Sequence, residues 1–369
     1  MDAAAWKTQK QHLPVFLHKR YVYKHLTINV FFNNNSLKMK YILPFFLLLA
    51  SCASNSNYNA AQIEKSWLDL GSISYGADSN QFVEITAPKN NDQNINVIFY
   101  VHGYGNKMVD LTFLENYRNS YIIGKLDYRY PTPQKTDLSM DALLLDVHCG
   151  LEALKDTADA NNIKLNKVII IGNSLGATLA LLYAYTFADK SPIPIAFCVT
   201  MSGLTDMTDA MIVKFTERLG KKIIQKHMLS IGSILSKEEL TTGDITELGF
   251  SDKAIDAFEK ISPIYHVNQN VPPTIIVHNT NDKIIPFSNA TSLKYALSTY
   301  NVPYIFIQSV TDYGHELGPN VANKNSLVFA PADARLPSST PKRYTRKLYP
   351  LLEYNVIESI NKFIDKYCI

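Results

Sequence analysis

Residues 167–182 read KVIIIGNSLGATLALL, and the character of the chain changes at Ser174. Before it, Lys167–Ile171 is a β-branched run that needs burial on both faces, as in an interior parallel strand. After it, Leu175–Phe187 is rich in alanine and leucine and predicts a helix. Between them stands Gly172-Asn173-Ser174-Leu175-Gly176, a G-x-S-x-G elbow. A serine that must stand clear of a sheet edge needs a sharp strand-to-helix turn. Such a turn crowds the backbone two residues to either side, where only glycine fits. The helix N-terminus adds a partial positive field at Ser174. By itself the five-residue pattern also describes a glycine-bounded turn with an idle serine; the flanking strand and helix favour a nucleophile.

Outward from this point, short apolar runs alternate with helical patterns. Strands are predicted at Phe82–Ala87, Asn96–Val101, Tyr121–Leu126, Ile195–Met201, Thr274–His278 and Tyr304–Gln308. Asp141–Ala158 has helical spacing, with Leu144, Val147, Leu151 and Leu154 on one side. The fold class is therefore α/β, a mostly parallel central sheet flanked by helices. Residues 202–271 are mostly helical, and a helical cap insertion is expected over about 206–260. There Met207, Met211, Ile212 and Phe215 either line an acyl pocket or belong to the core. Residues 318–347 are polar and proline-rich, with a basic cluster at Lys342, Arg343, Arg346 and Lys347. That cluster reads as a solvated loop, with anionic lipid or glycan as the alternative contact. A final helix is expected near Tyr349–Tyr367.

A serine hydroxyl needs an adjacent base. His315, in Tyr313-Gly314-His315-Glu316-Leu317, follows the last predicted strand and suits that role by chain order. His102 ends a strand in another motif, His148 and His227 sit in helical patterns, and His266 and His278 read as structural. The base in turn needs a carboxylate to hold its tautomer. Asp282 follows strand Thr274–His278, where strand ends build such sites; Asp312, three residues before His315, is the rival. His102-Gly103-Tyr104-Gly105 follows another strand end and suits an oxyanion hole. The expected donors are the N–H groups of Leu175 and Tyr104, with Gly103 as a further candidate.

The first 51 residues are a leader rather than fold material. Tyr41–Ser51 is apolar over only 11 residues, far short of the roughly 20 a spanning helix needs. Lys38 and Lys40 precede it and small residues close it, which makes a secretory signal. Leu49-Ala50-Ser51-Cys52 resembles a bacterial lipobox, whose cysteine is lipidated and becomes the new N-terminus. Cleavage there would leave 318 of the 369 residues, tethered through 52–71 ahead of a catalytic domain over 72–369. Met39 would itself be a natural start. Residues 1–51 hold seven of the 36 basic residues and one of the 33 acidic ones, so a formal charge of +3 becomes −3 in the processed chain. Nothing in that balance suggests nucleic-acid binding. The expected place is the bacterial cell envelope, membrane-anchored through lipid on Cys52. The lack of an aspartate after Cys52 points to the outer membrane. Cys149 and Cys198 lie in apolar stretches and read as buried thiols. No metal or organic cofactor is indicated, and the expected ligand is a small-molecule ester.

Together these residues resemble the α/β-hydrolase esterases of the hormone-sensitive-lipase and feruloyl-esterase-like group, over roughly residues 72–317. Tyr75-Gly76 with Gln81 is similar to the family's opening strand, and His102-Gly103-Tyr104-Gly105 to its His-Gly-Gly-Gly loop. Asp127-Tyr128-Arg129-Tyr130-Pro131 resembles its Asn-Tyr-Arg-Leu-Ala-Pro segment, and Asp146 the acid of its Glu-Asp helix. Ser262–Val267 and Pro272-Pro273-Thr274 are also similar, while Asp282 and Gly314-His315 match its acid and base. Tyr104 in place of glycine makes the oxyanion loop bulkier, Leu175-Gly176-Ala177 replaces Ala-Gly-Gly, and segment 318–347 is longer than the family's and is expected to form a flap or wall. The resemblance implies hydrolysis of short-acyl or acetyl esters. Two other functions share parts of this pattern. A serine peptidase of the prolyl-oligopeptidase type would prefer aminoacyl- or prolyl-anilides, and some 20 residues between Cys52 and the first strand leave no space for its propeller. An inactive lipid-anchored binding protein would not react with a fluorophosphonate at Ser174.

Overall fold

Among the described residues, a nine-stranded sheet runs in the order β1-β2-β4-β3-β5-β6-β9-β10-β11. The computed structural model describes residues 66–89, 94–104, 112–131, 137–213, 222–309, 314–317, 327–329 and 351–368. The leader, Cys52, Gly105, Asp312, Phe215 and the 342–347 basic cluster lie outside these. The strands are β1 (Trp67–Ser74), β2 (Phe82–Pro88), β3 (Ile95–Val101), β4 (Ile122–Asp127), β5 (Leu165–Asn173), β6 (Ile195–Met201), β9 (Thr274–Asn279), β10 (Tyr304–Ser309) and β11 (Leu327–Phe329). The six strands from β4 to β10 in that order pair parallel, while β1, β2 and β11 pair antiparallel at the two edges. A separate ribbon joins β7 (Ile245–Thr246) to β8 (Gly249–Phe250).

The parallel strands are apolar on both sides because both faces are covered. Along β5, Val168 and Ile170 join one core while Ile169 and Ile171 join the other. The first core is closed by α1 (Met140–Ala160) and α2 (Leu175–Thr186). In α1 the expected stripe Leu144, Val147, Leu151 and Leu154 is buried, and Ser139 caps the helix by accepting from the Ala142 N–H. Residues Leu175 to Tyr185 of α2 are all buried, so this helix is hydrophobic all round. The second core is closed by α6 (Leu351–Tyr367), through Val356, Ile360 and Phe363, with Phe363 edge-on to Phe197 at 5.3 Å.

Between β6 and β9 the insertion carries α3 (Lys222–Ser236), the β7–β8 ribbon and α4 (Asp252–Lys260). Gly232 of α3 sits where a Cβ would lie 2.3 Å from the Phe258 ring, so the two helices meet closely there. Met207 and Ile212 are buried, and Met207 belongs to the first core; Met211 is exposed. After the insertion, α5 (Ser288–Thr299) lies between β9 and β10.

Two sequence boundaries shift. Strand β1 starts at Trp67, inside the stretch read as tether, and a bulge at Asp69–Gly71 interrupts its alternation. Within the segment read as a flap or wall, Leu327–Phe329 pairs with Phe306–Gln308 as a sheet edge. Cys149 is only half-buried, in contrast to the expectation, because it lies off the apolar stripe of α1; Cys198 is buried as expected.

Candidate active site

Parallel strands deliver their carboxyl ends to one edge of the sheet, where α/β proteins place ligands. His102 follows β3, Tyr128 follows β4, Ser174 follows β5, Ser202 follows β6, Asp282 follows β9 and His315 follows β10. The candidates read from the sequence, spread from His102 to His315, thus share one edge, together with Ser202.

Ser174 joins β5 to α2 with φ 53° and ψ −122°, a conformation L-residues rarely adopt and one that costs on the order of 1–3 kcal/mol. The neighbouring glycines explain how the turn is accommodated. A Cβ on Gly172 would lie 2.4 Å from the Gly176 carbonyl oxygen, and one on Gly176 would lie 2.2 Å from the carbonyl oxygens of both Val101 and His102. The first turn of α2 therefore rests directly on the end of β3.

His315 stands on a short turn, Gly314–Glu316. Its Nε2 is 2.9 Å from Ser174 Oγ, and its Nδ1 is 2.8 Å from Asp282 Oδ2. The only consistent assignment has Nδ1–H donating to the carboxylate, which leaves Nε2 to accept from the serine hydroxyl. Gly314 takes φ 61°, and a Cβ there would lie 3.1 Å from the Asn281 carbonyl oxygen, so the base loop packs on the acid loop.

Asp282 is buried, and its Oδ1 accepts from the N–H groups of Ile284 at 2.8 Å and Ile285 at 3.0 Å. Burial alone pushes its carboxyl up. Contacts with His278 and His315, and the charge of these rings, outweigh burial and hold it well below the usual carboxylate range. His278, read from sequence as structural, is fully buried with Nε2 3.4 Å from Asp282 Oδ2 and 3.1 Å from the Ile285 carbonyl oxygen. The signal for this contact was the spacing His-x-x-x-Asp across a strand end.

The loop His102-Gly103-Tyr104 borders Ser174: a Cβ on Gly103 would lie 3.2 Å from the serine Cβ. His102 is locked from three sides. Its Nε2 is 3.1 Å from Asp127 Oδ1, its Nδ1 is 2.6 Å from the Gly103 carbonyl oxygen, and its ring stacks on Tyr128 at 4.5 Å. The Tyr128 hydroxyl donates to the His102 carbonyl. Tyr104 turns its ring onto Tyr130 at 5.5 Å, and its hydroxyl donates to the Pro131 carbonyl. Its bulk is thus taken up by the 128–131 segment. Leu175 is the first residue of α2, so its N–H lacks an intrahelical acceptor.

Behind this edge, Arg129 grips the buried Asp146 of α1 with Nε and Nη2, and Gln81 Nε2 donates to the same carboxylate at 2.8 Å. This ties β2, the segment after β4, and α1 together. Of the other histidines weighed, His148 pairs with the Tyr183 hydroxyl at 2.9 Å, His266 pairs with the Lys260 carbonyl at 3.1 Å, and His227 lies in α3.

The BD-FAE family model matches residues 83–297, more than half of the chain, and ends before His315. No curated protein sequence matches. Among solved structures, esterase B from Lactobacillus rhamnosis is similar with a TM-score of 0.50 at 15% identity, over 68% of this chain and 76% of that one. Its form inhibited by a C6-C4 SN3 compound has a TM-score of 0.50 at 14% identity, over 68% and 78%. A truncated carbohydrate esterase from gut microbiota has a TM-score of 0.49 at 16% identity, over 66% of this chain and 87% of that one. At these identities the likeness is one of fold.

Proposed function

The chain belongs to the BD-FAE family of esterase-type α/β-hydrolases and is a carboxylic ester hydrolase; we propose that it cleaves short-acyl or acetyl esters through an acyl-enzyme on Ser174. The observation that carries this reading is the continuous chain Ser174 Oγ, His315 Nε2, His315 Nδ1, Asp282 Oδ2, at 2.9 and 2.8 Å.

In the first half-reaction His315 Nε2 takes the hydroxyl proton as Ser174 Oγ attacks the ester carbonyl. The imidazolium is held by the ionised Asp282, which keeps Nδ1 protonated throughout. The carbonyl electrons move onto oxygen, which settles against the N–H groups of Leu175 and Tyr104 in the field of α2. One such donor is worth about 3–4 kcal/mol. When the tetrahedral species collapses, the alkoxide leaves with the proton from His315. Water then enters, gives its proton to His315 and attacks the acyl carbonyl. Collapse of the second tetrahedral species returns that proton to Ser174 and frees the acid.

The assay is p-nitrophenyl acetate turnover by the wild type and by Ser174→Ala, with a panel of p-nitrophenyl esters of rising acyl length, acetylated sugars and feruloyl esters. In Ser174→Ala turnover falls to the uncatalysed background, and in the wild type acetyl or short-acyl members lead the panel. Equal rates in the two proteins refute the nucleophile. The envelope location is part of the same proposal. Metabolic labelling with an alkynyl fatty acid reports lipid on the wild type and none on Cys52→Ala; an unlabelled wild type refutes the anchor, and label on both refutes its attachment at Cys52.

A further inference from the structure

We propose that His278 is a positioning residue that holds the Asp282 carboxylate in the orientation His315 requires; this inference rests on the Ser174 reading above. Asp282 sits on a tight turn between β9 and α5, and a turn is a poor platform for a group that must hold an imidazole within tenths of an ångström. Its Oδ1 is tied to the turn's own backbone, through Ile284 and Ile285. Those two bonds act on Oδ1 and come from the turn itself. His278 belongs to the strand, not the turn, and acts from another direction, on Oδ2 and on the Ile285 carbonyl.

The ring is well anchored. It is fully buried, and Phe287 packs edge-on to it at 5.9 Å. Its Nε2 faces two acceptors, the Ile285 carbonyl at 3.1 Å and Asp282 Oδ2 at 3.4 Å. Both partners accept, so Nε2 carries the hydrogen and the tautomer is set by the surroundings. One N–H thereby clamps the far end of the turn and lies against the oxygen that receives His315. The shorter contact positions the turn, while the longer one is a dipole directed at the carboxylate rather than a full hydrogen bond. Among the described residues, the charged and titratable groups facing this point are Asp282, His315 and His278 itself. An outer partner of this kind changes activity by about 10–100-fold when removed at metal sites, and the same logic applies to a carboxylate that orients an imidazole.

The experiment compares His278→Phe, which keeps an aromatic ring but loses the donor, with His278→Gln, whose amide N–H reaches a similar point. His278→Leu is a second donor-free variant. Active sites are counted with a fluorophosphonate at Ser174, so unfolded protein does not enter the rates. The expected result is a kcat per active site about tenfold lower in Phe and Leu at unchanged KM, with Gln restored to within threefold. Loss of the N–H dipole also makes Asp282 a stronger acceptor for His315, so the acid limb of the pH–rate profile moves to higher pH in Phe and returns in Gln. Wild-type kcat and an unmoved limb in Phe or Leu overturn the proposal. So does a Gln variant that falls as far as Phe, since ring packing and not the donor would then be responsible. Failure of the underlying triad shows separately, as undiminished turnover in Ser174→Ala.

Discussion

Replacing Gly176 with alanine introduces one methyl group at the tightest backbone crossing in the site. The added Cβ would lie 2.2 Å from the carbonyl oxygens of both Val101 and His102, against about 3.3 Å for a carbon resting on a carbonyl oxygen. A displacement of about 1 Å is therefore required. Neither oxygen can rotate aside, since both are backbone. Val101 is held in register with Leu126 on β4 and Gly172 on β5, so β3 does not yield. The movement falls on the first turn of α2 and on loop 102–104, the two pieces that carry Ser174 and the expected oxyanion donors. Overpacking of this kind costs about 1–3 kcal/mol, which for a chain of this size lowers Tm by about 1–4 °C. Misplacement by about 1 Å costs about 100-fold in rate. Purified Gly176→Ala is to be measured by thermal melting and by p-nitrophenyl acetate kinetics, per site reactive to fluorophosphonate. Gly243→Ala serves as control, because its Cβ would meet only Thr241 Oγ1 at 3.4 Å; it stays within about 0.5 kcal/mol and keeps full kcat. A Gly176→Ala protein with wild-type Tm and kcat refutes the close packing of α2 on β3 as the basis of the site.

Asp282→Asn removes the charge that stabilises the imidazolium and permits the wrong tautomer of His315, so kcat falls by about 10³–10⁴-fold with little change in KM; steady-state kinetics beside circular dichroism decide this. Because Asp282 is held below the usual carboxylate range, its ionised form favours the folded state. That stabilisation is complete above the unfolded value of about 3.9 and is lost as pH falls beneath it. Tm measured from about pH 6 to about pH 3 declines at the acid end, and less steeply in Asp282→Asn. Arg129→Met strands the buried Asp146 carboxylate, leaving Gln81 and the residue-129 backbone N–H as its donors but no counter-charge in contact. It costs about 3–5 kcal/mol in chemical denaturation, and Arg129→Met with Asp146→Leu recovers most of this.

How much of the molecule was legible beforehand depended on the range of the interaction involved. The parallel strands were readable because double-sided burial leaves continuous apolar runs such as Val168–Ile171, and α1 was readable from its 3.6-residue stripe. Strand β1 was not, since it is a half-exposed edge whose bulge at Asp69–Gly71 breaks the two-residue alternation. Strand β11 was hidden for a different reason: three residues carry no periodicity, and pairing with Phe306–Gln308 makes Leu327–Phe329 a strand. Cys149 misled because apolar neighbours in sequence need not lie on the same face of a helix.

The sequence by itself determined the α/β class, the esterase family and the order in which Ser174, Asp282 and His315 appear. These follow from local rules: glycine where a Cβ cannot fit, branched residues where both faces are covered, and a fixed succession of strand ends. Tertiary structure alone decided which groups touch. The spacing His278-x-x-x-Asp282 hints at a contact, but only the fold sets the ring 3.4 Å from Asp282 Oδ2, and nothing in the chain announces that the ring of Tyr104 folds back onto Tyr130. Nor does local sequence join Gln81, Arg129 and Asp146 around one buried charge. Such contacts arise between segments brought together only by the sheet, and their distances depend on how α2 settles on β3 and how the acid turn settles on β9.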